Sequence, residues 1–420
     1  MININHGRSD LILRNALLFD GSSAELVEGA NVLVHDGRIQ EVSREQVRSE
    51  TARVIDLKGM FLMPGLIDAH FHAYGASLDV TQFDRMPMSL LAHHASSLLE
   101  GALQRGYTTV RDAAGGDYGL ARAIELGLIK GPRMFFAGKS LSQTGGHGDF
   151  RSAQRVELCA CGYSGVLSVV VDGEDEVRKA VREELRQGAH QVKIHVSGGA
   201  LSPNDPLWMP QFTAAEIRAA VEEAATRRTY VMAHAHTADS VRRSIECGVR
   251  SIEHGTLIDV ETAAVVAEAG AFVVPTLAAG DRLRRLGKET GLGANMLGKL
   301  EEIAVYSMQA FENCLNAGVK LGFGTDMIGP LHPDQNFEFT MRREVAPALE
   351  ILKSATSKNA ELLQRPDELG TISVGALADL IVLDANPLHD ISVFERAAQT
   401  IRLIVKEGSI FKNTLTQQSS

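Results

Sequence analysis

The stretch "TYVMAHAHTADSVRRSIECGVRSIEHG", residues 229–255, contains two short apolar runs with a helical pattern between them. The first run ends in His234 and His236, and the second ends in His254. The middle segment, "ADSVRRSIECG", has the apolar spacing of an amphipathic helix. A strand, a helix and a second strand in this order predict two parallel strands joined by a crossover helix.

The same alternation of strand and helix continues through most of the chain, with further helical patterns such as "TAAEIRAAVEEAATRR" and "DVETAAVVAEAG". A helix after each strand forces parallel pairing, and a closed (β/α)8 barrel is the economical arrangement of eight such strands. A doubly wound open sheet is the alternative, but no Gly-rich phosphate turn follows the first strand. The eight strand candidates are the run Met60–Ala69, "YTTVRDA", "RMFFAG", "QVKIHVSGG", "TYVMAHAH", "SIEHG", "AFVVPTL" and "KLGFGTD".

The two ends of the chain read differently from the middle, as short strands separated by Asp-Gly and Gly turns. Examples are "EGANVLVHDGRIQEVS" near the start and "TIRLIVKEGSIFKN" near the end. We therefore predict an α/β fold: a TIM-like barrel with a small β-sandwich domain formed by both termini. The expected ranges are 1–60 and 366–420 for the two parts of the β-sandwich and 61–365 for the barrel. The segment 279–308 looks like an insertion that shapes a substrate pocket.

Composition and charge exclude several classes of partner. The 42 basic and 52 acidic residues give a formal net charge of −10, which disfavours binding to nucleic acid. No apolar stretch reaches membrane-spanning length, so no membrane association is expected. The start "MININHGRSD" lacks the pattern of a signal peptide, which predicts a cytoplasmic protein. The four cysteines, Cys159, Cys161, Cys247 and Cys314, then read as free thiols in a reducing compartment.

Polar and ionisable residues stand where the predicted barrel strands end, which is where (β/α)8 enzymes place their chemistry. Residues two apart on a strand point to the same side, so one register can direct His70 and His72, or His234 and His236, to one face. Lys193 shares a face with His195 in the same way. The metal-ligand candidates at the strand ends are His70, His72, Lys193, His234, His254 and Asp326.

These residue types suit a two-metal site. Imidazole and carboxylate together favour Zn²⁺, and less selectively Mn²⁺, Co²⁺ or Fe²⁺. A lysine that ends a buried strand is pushed towards the neutral amine, which can add CO2 to give an anionic carbamate. The carbamate on Lys193 could bridge two divalent ions, which in turn could hold a bridging hydroxide at neutral pH. Asp326 could accept a proton from the hydroxide and pass it to the leaving nitrogen, so Asp326 and Lys193 are the catalytic candidates.

The motifs "PGLIDAHFH", "VKIHVSGG", "AHAH", "IEHG" and "GTD" resemble, in order, those of the amidohydrolase superfamily in its two-metal form with a lysine on the fourth strand. The resemblance implies His70 and His72 on the more buried metal with Asp326. It also implies a carbamylated Lys193 as the bridge, and His234 and His254 on the more exposed metal. Relatives often form large homo-oligomers, so a homo-oligomer is expected.

Within the superfamily, the chain is most similar to the imidazolonepropionase-like branch, which includes Xaa-Pro dipeptidases, carboxypeptidases acting on N-acyl or dipeptide substrates, and ochratoxin-hydrolysing amidases. The segment "TGGHGD", residues 144–149, resembles the loop of that branch in which His147 would face substrate. His236 is a further candidate for substrate contact, with a structural role as the alternative. His195 points inward by parity, and a core role is an equal alternative.

These observations predict a metal-dependent hydrolase that cleaves a dipeptide or an N-acyl amino acid at the amide next to the C-terminal amino acid. A cyclic amidase or a deaminase acting on a small nitrogen heterocycle is the alternative within the same class, although the deaminases of the branch commonly use one metal and lack the lysine. A metal-free scaffold protein and a metal sensor without turnover are alternatives from other classes. Each expected ligand is present, which argues against the scaffold.

Overall fold

The computed structural model describes residues 10–151, 164–202, 205–287, 289 and 292–415. Cys159 and Cys161 lie outside the described residues, so the interpretation of this pair as free thiols stays a prediction. Cys247 and Cys314 are free and buried. Within the described ranges, no helix is both long enough and apolar enough to span a membrane.

The strands are β1 (Leu11–Leu18), β2 (Val27–His35), β3 (Arg38–Ser43), β4 (Arg53–Asp56), β5 (Phe61–Pro64), β6 (Leu66–Phe71), β7 (Tyr107–Asp112), β8 (Arg133–Phe136), β9 (Ser140–Ser142), β10 (Ser168–Val170), β11 (Val192–His195), β12 (Val231–Thr237), β13 (Ser251–Leu257), β14 (Phe272–Val274), β15 (Lys320–Leu321), β16 (Leu380–Leu383), β17 (Ile401–Lys406) and β18 (Ser409–Asn413).

The α-helices are α1 (Met88–Gln104), α2 (Tyr118–Glu125), α3 (Glu174–Arg186), α4 (Ala214–Thr226), α5 (Ala238–Glu246), α6 (Val260–Glu268), α7 (Leu277–Leu286), α8 (Ala294–Asn316), α9 (Phe337–Arg342), α10 (Ala348–Ser354), α11 (Ser357–Leu362) and α12 (Ala397–Thr400). Single 3₁₀ turns occupy Val80–Arg85, Gly329–Asp334 and Ile391–Arg396.

Strands and helices alternate because the sequence marks both. The strands β6, β7 and β11 are buried at every residue, as expected of parallel strands covered on both faces. Helix α4 begins with a capping box between Thr213 and Glu216, which satisfies free backbone N–H groups of the first turn. Thr237 is both the last residue of β12 and the N-cap of α5, so this helix begins directly at the end of its strand.

The middle of the chain is a TIM-barrel-like α/β domain with parallel strands in two sheets. One sheet has the order β6-β7-β8, and the other has the order β10-β9-β11-β12-β13-β14-β15. Backbone hydrogen bonds connect the two sheets at both ends. Ala69 N donates to Phe323 O at 2.8 Å after β15, and His190 N donates to Phe136 O at 2.8 Å before β11. The predicted parallel α/β architecture is confirmed to this extent.

Two of the predicted barrel strands are shorter than expected. The run "RMFFAG" is a strand only to Phe136, and β9 resumes at Ser140 beyond Gly138, which has a φ of 70°. The run "KLGFGTD" pairs as a strand only over Lys320–Leu321. Its glycines allow close packing instead: a Cβ on Gly324 would lie 2.4 Å from Val274 and 2.7 Å from the Cβ of His70. The eighth segment therefore presses against β6 and β14 without a regular ladder.

Strands from both ends of the chain join one eight-stranded sheet of order β18-β17-β16-β5-β1-β2-β3, with β4 also paired to β1. Strand β5 pairs in parallel with β1 and antiparallel with β16, so it connects the N-terminal to the C-terminal strands. A separate hydrophobic cluster, which includes Leu13, Val32 and Val382, packs on this sheet. Strands from both termini therefore share one sheet, and the β-sandwich domain stays a prediction.

Candidate metal centre

One cavity contains all the residues that the sequence marked for chemistry. It lies at the carboxyl ends of the parallel strands and encloses about 1030 Å³, counted to the mouth where it opens to solvent. This space is large enough for a small organic substrate. The candidates that line it are His70, His72, His147, Lys193, His195, His234, His236, His254 and Asp326.

The first group of ligand candidates is His70, His72 and Asp326. Oδ1 of Asp326 lies 3.0 Å from Nε2 of His72 and 3.4 Å from Nε2 of His70. Donor atoms of the three residues lie within 4.8 Å of one another, a spacing that a metal ion could occupy. The backbone fixes this geometry, because Asp326 N donates to His70 O at 2.8 Å.

The second group lies beside the first, on neighbouring strands. The imidazole rings of His234, on β12, and His254, on β13, have centroids 4.7 Å apart. Nδ1 of His254 lies 4.0 Å from Oδ2 of Asp326, and the rings of His70 and His254 are 5.0 Å apart. His236 stacks on His254 at 5.2 Å. The two groups of ligand candidates are therefore adjacent to each other in the cavity.

Four of the imidazoles, those of His70, His234, His236 and His254, each have one ring nitrogen held by the protein and a second nitrogen left for another partner. This arrangement is typical of metal-binding histidines, whose outer nitrogen is oriented by a carboxylate, a hydroxyl or a carbonyl. The held nitrogens and their partners are Nδ1 of His70 with Glu253 at 2.6 Å, Nδ1 of His254 with Thr276 at 2.8 Å, Nδ1 of His236 with Thr256 at 2.8 Å, and Nε2 of His234 with the carbonyl of Gly198 at 3.2 Å.

Burial keeps these four imidazoles neutral at pH 7, whereas in His72 the effect of burial is outweighed by Asp326, which raises the pKa of that ring. Burial lowers the pKa of His70 to about 4 and that of His236 to about 3, with the nearby charge of Lys193 acting in the same direction on His70. Burial also lowers the pKa of His234 and of His254 well below the ordinary value. A neutral imidazole has a free lone pair, which is the form that binds a metal ion.

The pKa values of Lys193 and Asp326 are both shifted towards the forms that the predicted chemistry needs. Lys193 is only 2% exposed, and burial lowers its pKa to about 8, so its neutral amine is accessible near neutral pH. Burial by itself would raise the pKa of Asp326, but His70, His72 and Lys193 outweigh burial and lower it to about 2. Asp326 is therefore a carboxylate at pH 7 and can accept a proton.

A buried ion pair lies under His70. Glu253, on β13, accepts hydrogen bonds from Nη2 of Arg111, on β7, at 2.8 and 3.0 Å and from the hydroxyl of Ser251 at 2.6 Å. Arg111 and Glu253 are both fully buried. Since Glu253 also accepts from Nδ1 of His70, this pair fixes the ring and directs its Nε2 to Asp326.

His147 and His195 form a third group with His234, and donor atoms of these three rings also lie within 4.8 Å of one another. Nδ1 of His147 lies 2.7 Å from the hydroxyl of Ser202 and 3.3 Å from Oδ2 of Asp205. Nε2 of His195 contacts the hydroxyl of Ser140 at 2.9 Å. Both rings face the cavity, so the inward orientation expected of His195 is observed.

Unusual backbone geometry concentrates at this centre. His254, Thr276 and Asp326 have φ values of 73°, 50° and 53°, a region that non-glycine residues and above all β-branched residues seldom adopt. Thr276 is the hydroxyl partner of His254, so two of the strained residues contact each other. Such strain at strand ends is maintained by the surrounding fold and is typical of functional sites.

Four residues of the site were not predicted from the sequence: Arg111, Asp205, Glu253 and Lys299. The first and third carried a weak signal, because each is a charged residue inside an apolar strand pattern, "TVRDA" and "SIEHG". Such a residue is buried only with a partner. Asp205 and Lys299 stand in segments that read as ordinary loop and helix, and only the folded chain brings them to His147.

An α/β domain whose strand ends collect imidazoles, a buried lysine and a carboxylate in one cavity is the architecture of a metal-dependent hydrolase. Residues 61–410 match the model of the Amidohydrolase family, and the chain belongs to this family. The resemblance that its motifs indicated is confirmed.

Several proteins are similar over nearly the whole chain. The ochratoxinase of Aspergillus niger is 34% identical over 409 residues, which cover 93% of this chain and 83% of that protein. A crystal structure of an amidohydrolase is 43% identical with a TM-score of 0.94 and covers 97% of this chain and 100% of its own. A prolidase crystallised with N-methylphosphonate-L-proline is 42% identical with a TM-score of 0.94 and covers 96% and 100%.

Proposed function

We propose that this chain is a two-metal amide hydrolase that cleaves dipeptides or N-acyl amino acids at the amide next to the C-terminal amino acid. The observation that supports it most directly is the single cavity in which the six ligand candidates meet at the ends of parallel strands. The relatives support the substrate class, since one is named for ochratoxin and one is a prolidase bound to an L-proline derivative.

We assign the more buried metal to His70, His72 and Asp326, and the more exposed metal to His234 and His254. A carbamate formed from CO2 on Lys193 would bridge the two ions, and Zn²⁺ is the favoured metal. The donor set fits this assignment. In three of the four histidines an outer nitrogen is held at 3.2 Å or less by Glu253, Thr276 or Gly198, which leaves the inner nitrogen for the ion.

When bound, two divalent ions supply Lewis-acid polarisation of an amide carbonyl and make water acidic enough to ionise near pH 7. The protein supplies the proton transfer. Asp326, ionised at pH 7, accepts a proton at its carboxylate and delivers it to the nitrogen of the leaving amino acid. Without that proton, the leaving group would be an amide anion, so the step depends on Asp326.

His147 and His236 are the proposed substrate contacts. Both line the cavity, and each has Nδ1 held by a hydroxyl group, so Nε2 is the ring nitrogen left for substrate. Much of the remaining wall is apolar and comes from α7, α8 and the turn at Val80–Arg85. Its apolar side chains include Val80, Phe83, Phe150, Leu167, Leu283, Leu300 and Ile303. This wall favours substrates with an uncharged, apolar group on one side of the amide.

We further propose that the eight strand segments close into a (β/α)8 barrel and that the terminal sheet folds over its own cluster as a β-sandwich. The backbone bonds from Ala69 to Phe323 and from His190 to Phe136 support closure. The domain ranges 1–60, 61–365 and 366–420 remain our proposal. Strand β5 (Phe61–Pro64) pairs with the terminal sheet, so the first boundary lies beside a strand that connects the two domains.

A cytoplasmic location and a homo-oligomeric state are part of the same proposal. The buried free thiols Cys247 and Cys314 favour a reducing compartment, and burial raises the pKa of Cys314 to about 12, which keeps it an unreactive thiol. Light scattering of the purified protein tests the oligomeric state directly.

The deciding experiment is a substrate screen on protein reconstituted with Zn²⁺ and bicarbonate. The panel contains Xaa-Pro and other dipeptides, N-acyl amino acids and ochratoxin A, with adenine and hydantoins as substrates of the alternative functions. We expect turnover of members of the first three groups, close to two divalent ions per chain, and loss of activity with chelator. Turnover of the heterocycles alone, with one ion per active chain, would show a deaminase or cyclic amidase instead.

A further inference from the structure

Lys299, on α8, is a buried lysine outside the proposed metal ligands. It is 7% exposed, and its ammonium group donates to three backbone carbonyls, those of Gly199 and Ser202 at 2.9 Å and that of Asp205 at 2.7 Å. An ammonium group has three N–H donors, so all of them are used on one short segment. We call the described part of this segment, residues 199–202 and Asp205, the β11 loop, because it follows strand β11.

The β11 loop holds the ring of His147. The hydroxyl of Ser202 donates to the carbonyl of Gly199 at 3.2 Å, so its lone pair faces Nδ1 of His147, 2.7 Å away. Oδ2 of Asp205 lies 3.3 Å from the same nitrogen. Two acceptors therefore face Nδ1, so Nδ1 is the ring nitrogen that donates to the loop and Nε2 is the nitrogen left for another partner.

The loop backbone lies directly against this ring. A Cβ on Gly199 would lie 2.2 Å from Cε1 of His147, so only glycine permits this approach. The carboxylate of Asp205 accepts from the N–H of Gly199 at 3.0 Å, which closes the loop on itself. A shift of the loop backbone would therefore move both the surface behind the ring and the acceptors of Nδ1.

Helix α8 supplies a second contact with the site. Leu300, the residue after Lys299, lines the cavity, as does Ile303 one turn from Lys299. The same helical turn thus forms part of the apolar wall and anchors the loop that holds His147.

We propose that Lys299 is a positioning residue for His147. It fixes the β11 loop so that His147 keeps its proton on Nδ1 and presents Nε2 to the substrate. Because Lys299 is on α8, the position of His147 is also fixed relative to the apolar wall that α8 forms. The inference rests on the proposed function in one respect, namely that His147 contacts substrate. Lys299 itself touches neither the substrate space nor the metal ligands in this role.

The first test compares two buried lysines. Lys406 is 8% exposed and donates to the carbonyl of Gly131 at 2.7 Å, outside the residues that line the cavity, so Lys406→Met is the matched control for Lys299→Met. We expect Lys299→Met to lower kcat/KM by about 10- to 100-fold, because the loop that carries both partners of His147 loses its anchor, and loss of the outer partners of an active-site histidine has a cost of this size. The metal content should stay at the wild-type value, because Gly198, whose carbonyl holds His234, is hydrogen-bonded to Met209 and not to Lys299. Lys406→Met should leave kcat/KM within about twofold of wild type.

The second test is a double-mutant cycle with His147→Asn. If Lys299 acts through His147, Lys299→Met should cost less than about twofold more in the His147→Asn background. Full additivity of the two losses would overturn the proposal. Lys299→Gln, which keeps two N–H donors, repeats the cycle if Lys299→Met folds poorly, and thermal unfolding identifies that case.

A third measurement does not need turnover. Nitrogen NMR of the imidazoles, with His147 assigned by its absence in His147→Asn, reports which ring nitrogen holds the proton. We expect Lys299→Met to shift His147 away from the Nδ1–H form and Lys406→Met to leave it unchanged. An unchanged His147 signal in Lys299→Met would refute the inference. Lack of turnover by wild-type protein on every amide would instead refute the proposed function.

Discussion

Replacement of Glu253 by Gln should destabilise the protein and lower its affinity for the more buried metal ion. The two effects can be measured separately. Glu253 contacts Arg111, Ser251 and Nδ1 of His70, and it is fully buried. Burial would raise its pKa, but Arg111 and His70 outweigh burial and lower the pKa to about 2, so the wild-type residue is a carboxylate. Glutamine keeps the shape and one acceptor oxygen but removes the charge.

The energetic effect follows from the position of the charges. Nη2 of Arg111 lies 2.8 Å from Oε1 of Glu253, which corresponds to an attraction of roughly 6 kcal/mol at an effective dielectric constant of about 20. A hydrogen bond from the guanidinium to the amide oxygen of Gln retains about 1.5–3 kcal/mol of this. The expected loss of unfolding free energy is therefore about 3–5 kcal/mol, the range seen when a buried charge is left without its partner.

The effect on metal binding has a different origin. Without the carboxylate, Nδ1 of His70 is less firmly held and the ring is less basic. The more buried metal ion, assigned to His70, His72 and Asp326, should therefore bind about 10- to 100-fold more weakly. Chemical unfolding of the metal-free protein measures the first effect, and competition with a chromophoric chelator measures the second. The double variant Arg111→Met/Glu253→Gln is the control, because it removes the unpaired charge but does not restore the carboxylate.

We expect the double variant to recover most of the stability and none of the metal affinity. Inner-site affinity within about twofold of wild type in Glu253→Gln would refute the role of the carboxylate in orienting His70. Equal instability of the single and double variants would refute the assignment of the stability loss to the unpaired Arg111.

Variants of three further residues have defined outcomes. Asp326→Asn should retain much of the metal and lose about 10²- to 10⁴-fold in kcat, because an amide cannot carry the proton; activity within a few-fold of wild type would exclude the proton transfer. Lys193→Ala should lose at least one ion and nearly all activity, and added acetate or propionate should restore part of both. Lys193→Arg should stay inactive, since guanidinium cannot add CO2. An unmodified Lys193 amine in an active, fully metallated crystal would contradict this expectation. Burial lowers the pKa of Lys406 to about 8 from 10.5, so between these pH values the unfolded chain binds a proton that the folded chain lacks, and stability should rise with pH relative to Lys406→Met. Parallel pH profiles of unfolding free energy for wild type and Lys406→Met would contradict this last expectation.

The strand ends could be read from the sequence because their signal is local. His70 and His254 each close an apolar run, and a run that stops at an ionisable residue identifies both the strand and the end that faces the cavity. The alternation of strands and helices between them requires a parallel sheet covered by helices, so the α/β class followed from the same pattern.

The residues that escaped prediction are defined by partners far along the chain. Arg111 and Glu253 are 142 positions apart, and Lys299 lies 94 positions from Asp205. No local pattern distinguishes such a residue from a solvated charge, since its burial depends on tertiary pairing. The shortened eighth strand has a related cause: Gly322 and Gly324 read as strand interior, but their lack of a side chain serves close packing instead of a ladder.

The pairing of β5 with both β1 and β16 has a consequence for synthesis on the ribosome. Strand β16 (Leu380–Leu383) is translated about 320 residues after β5 (Phe61–Pro64), which at about 5–20 residues per second is a delay of roughly 16–64 s. During this time one edge of β5 has free N–H and C=O groups and can pair with a neighbouring nascent chain. Production of this protein should therefore be sensitive to the spacing of ribosomes on its message. C-terminal truncations that end between residues 327 and 379 should aggregate even though they contain every metal-ligand candidate.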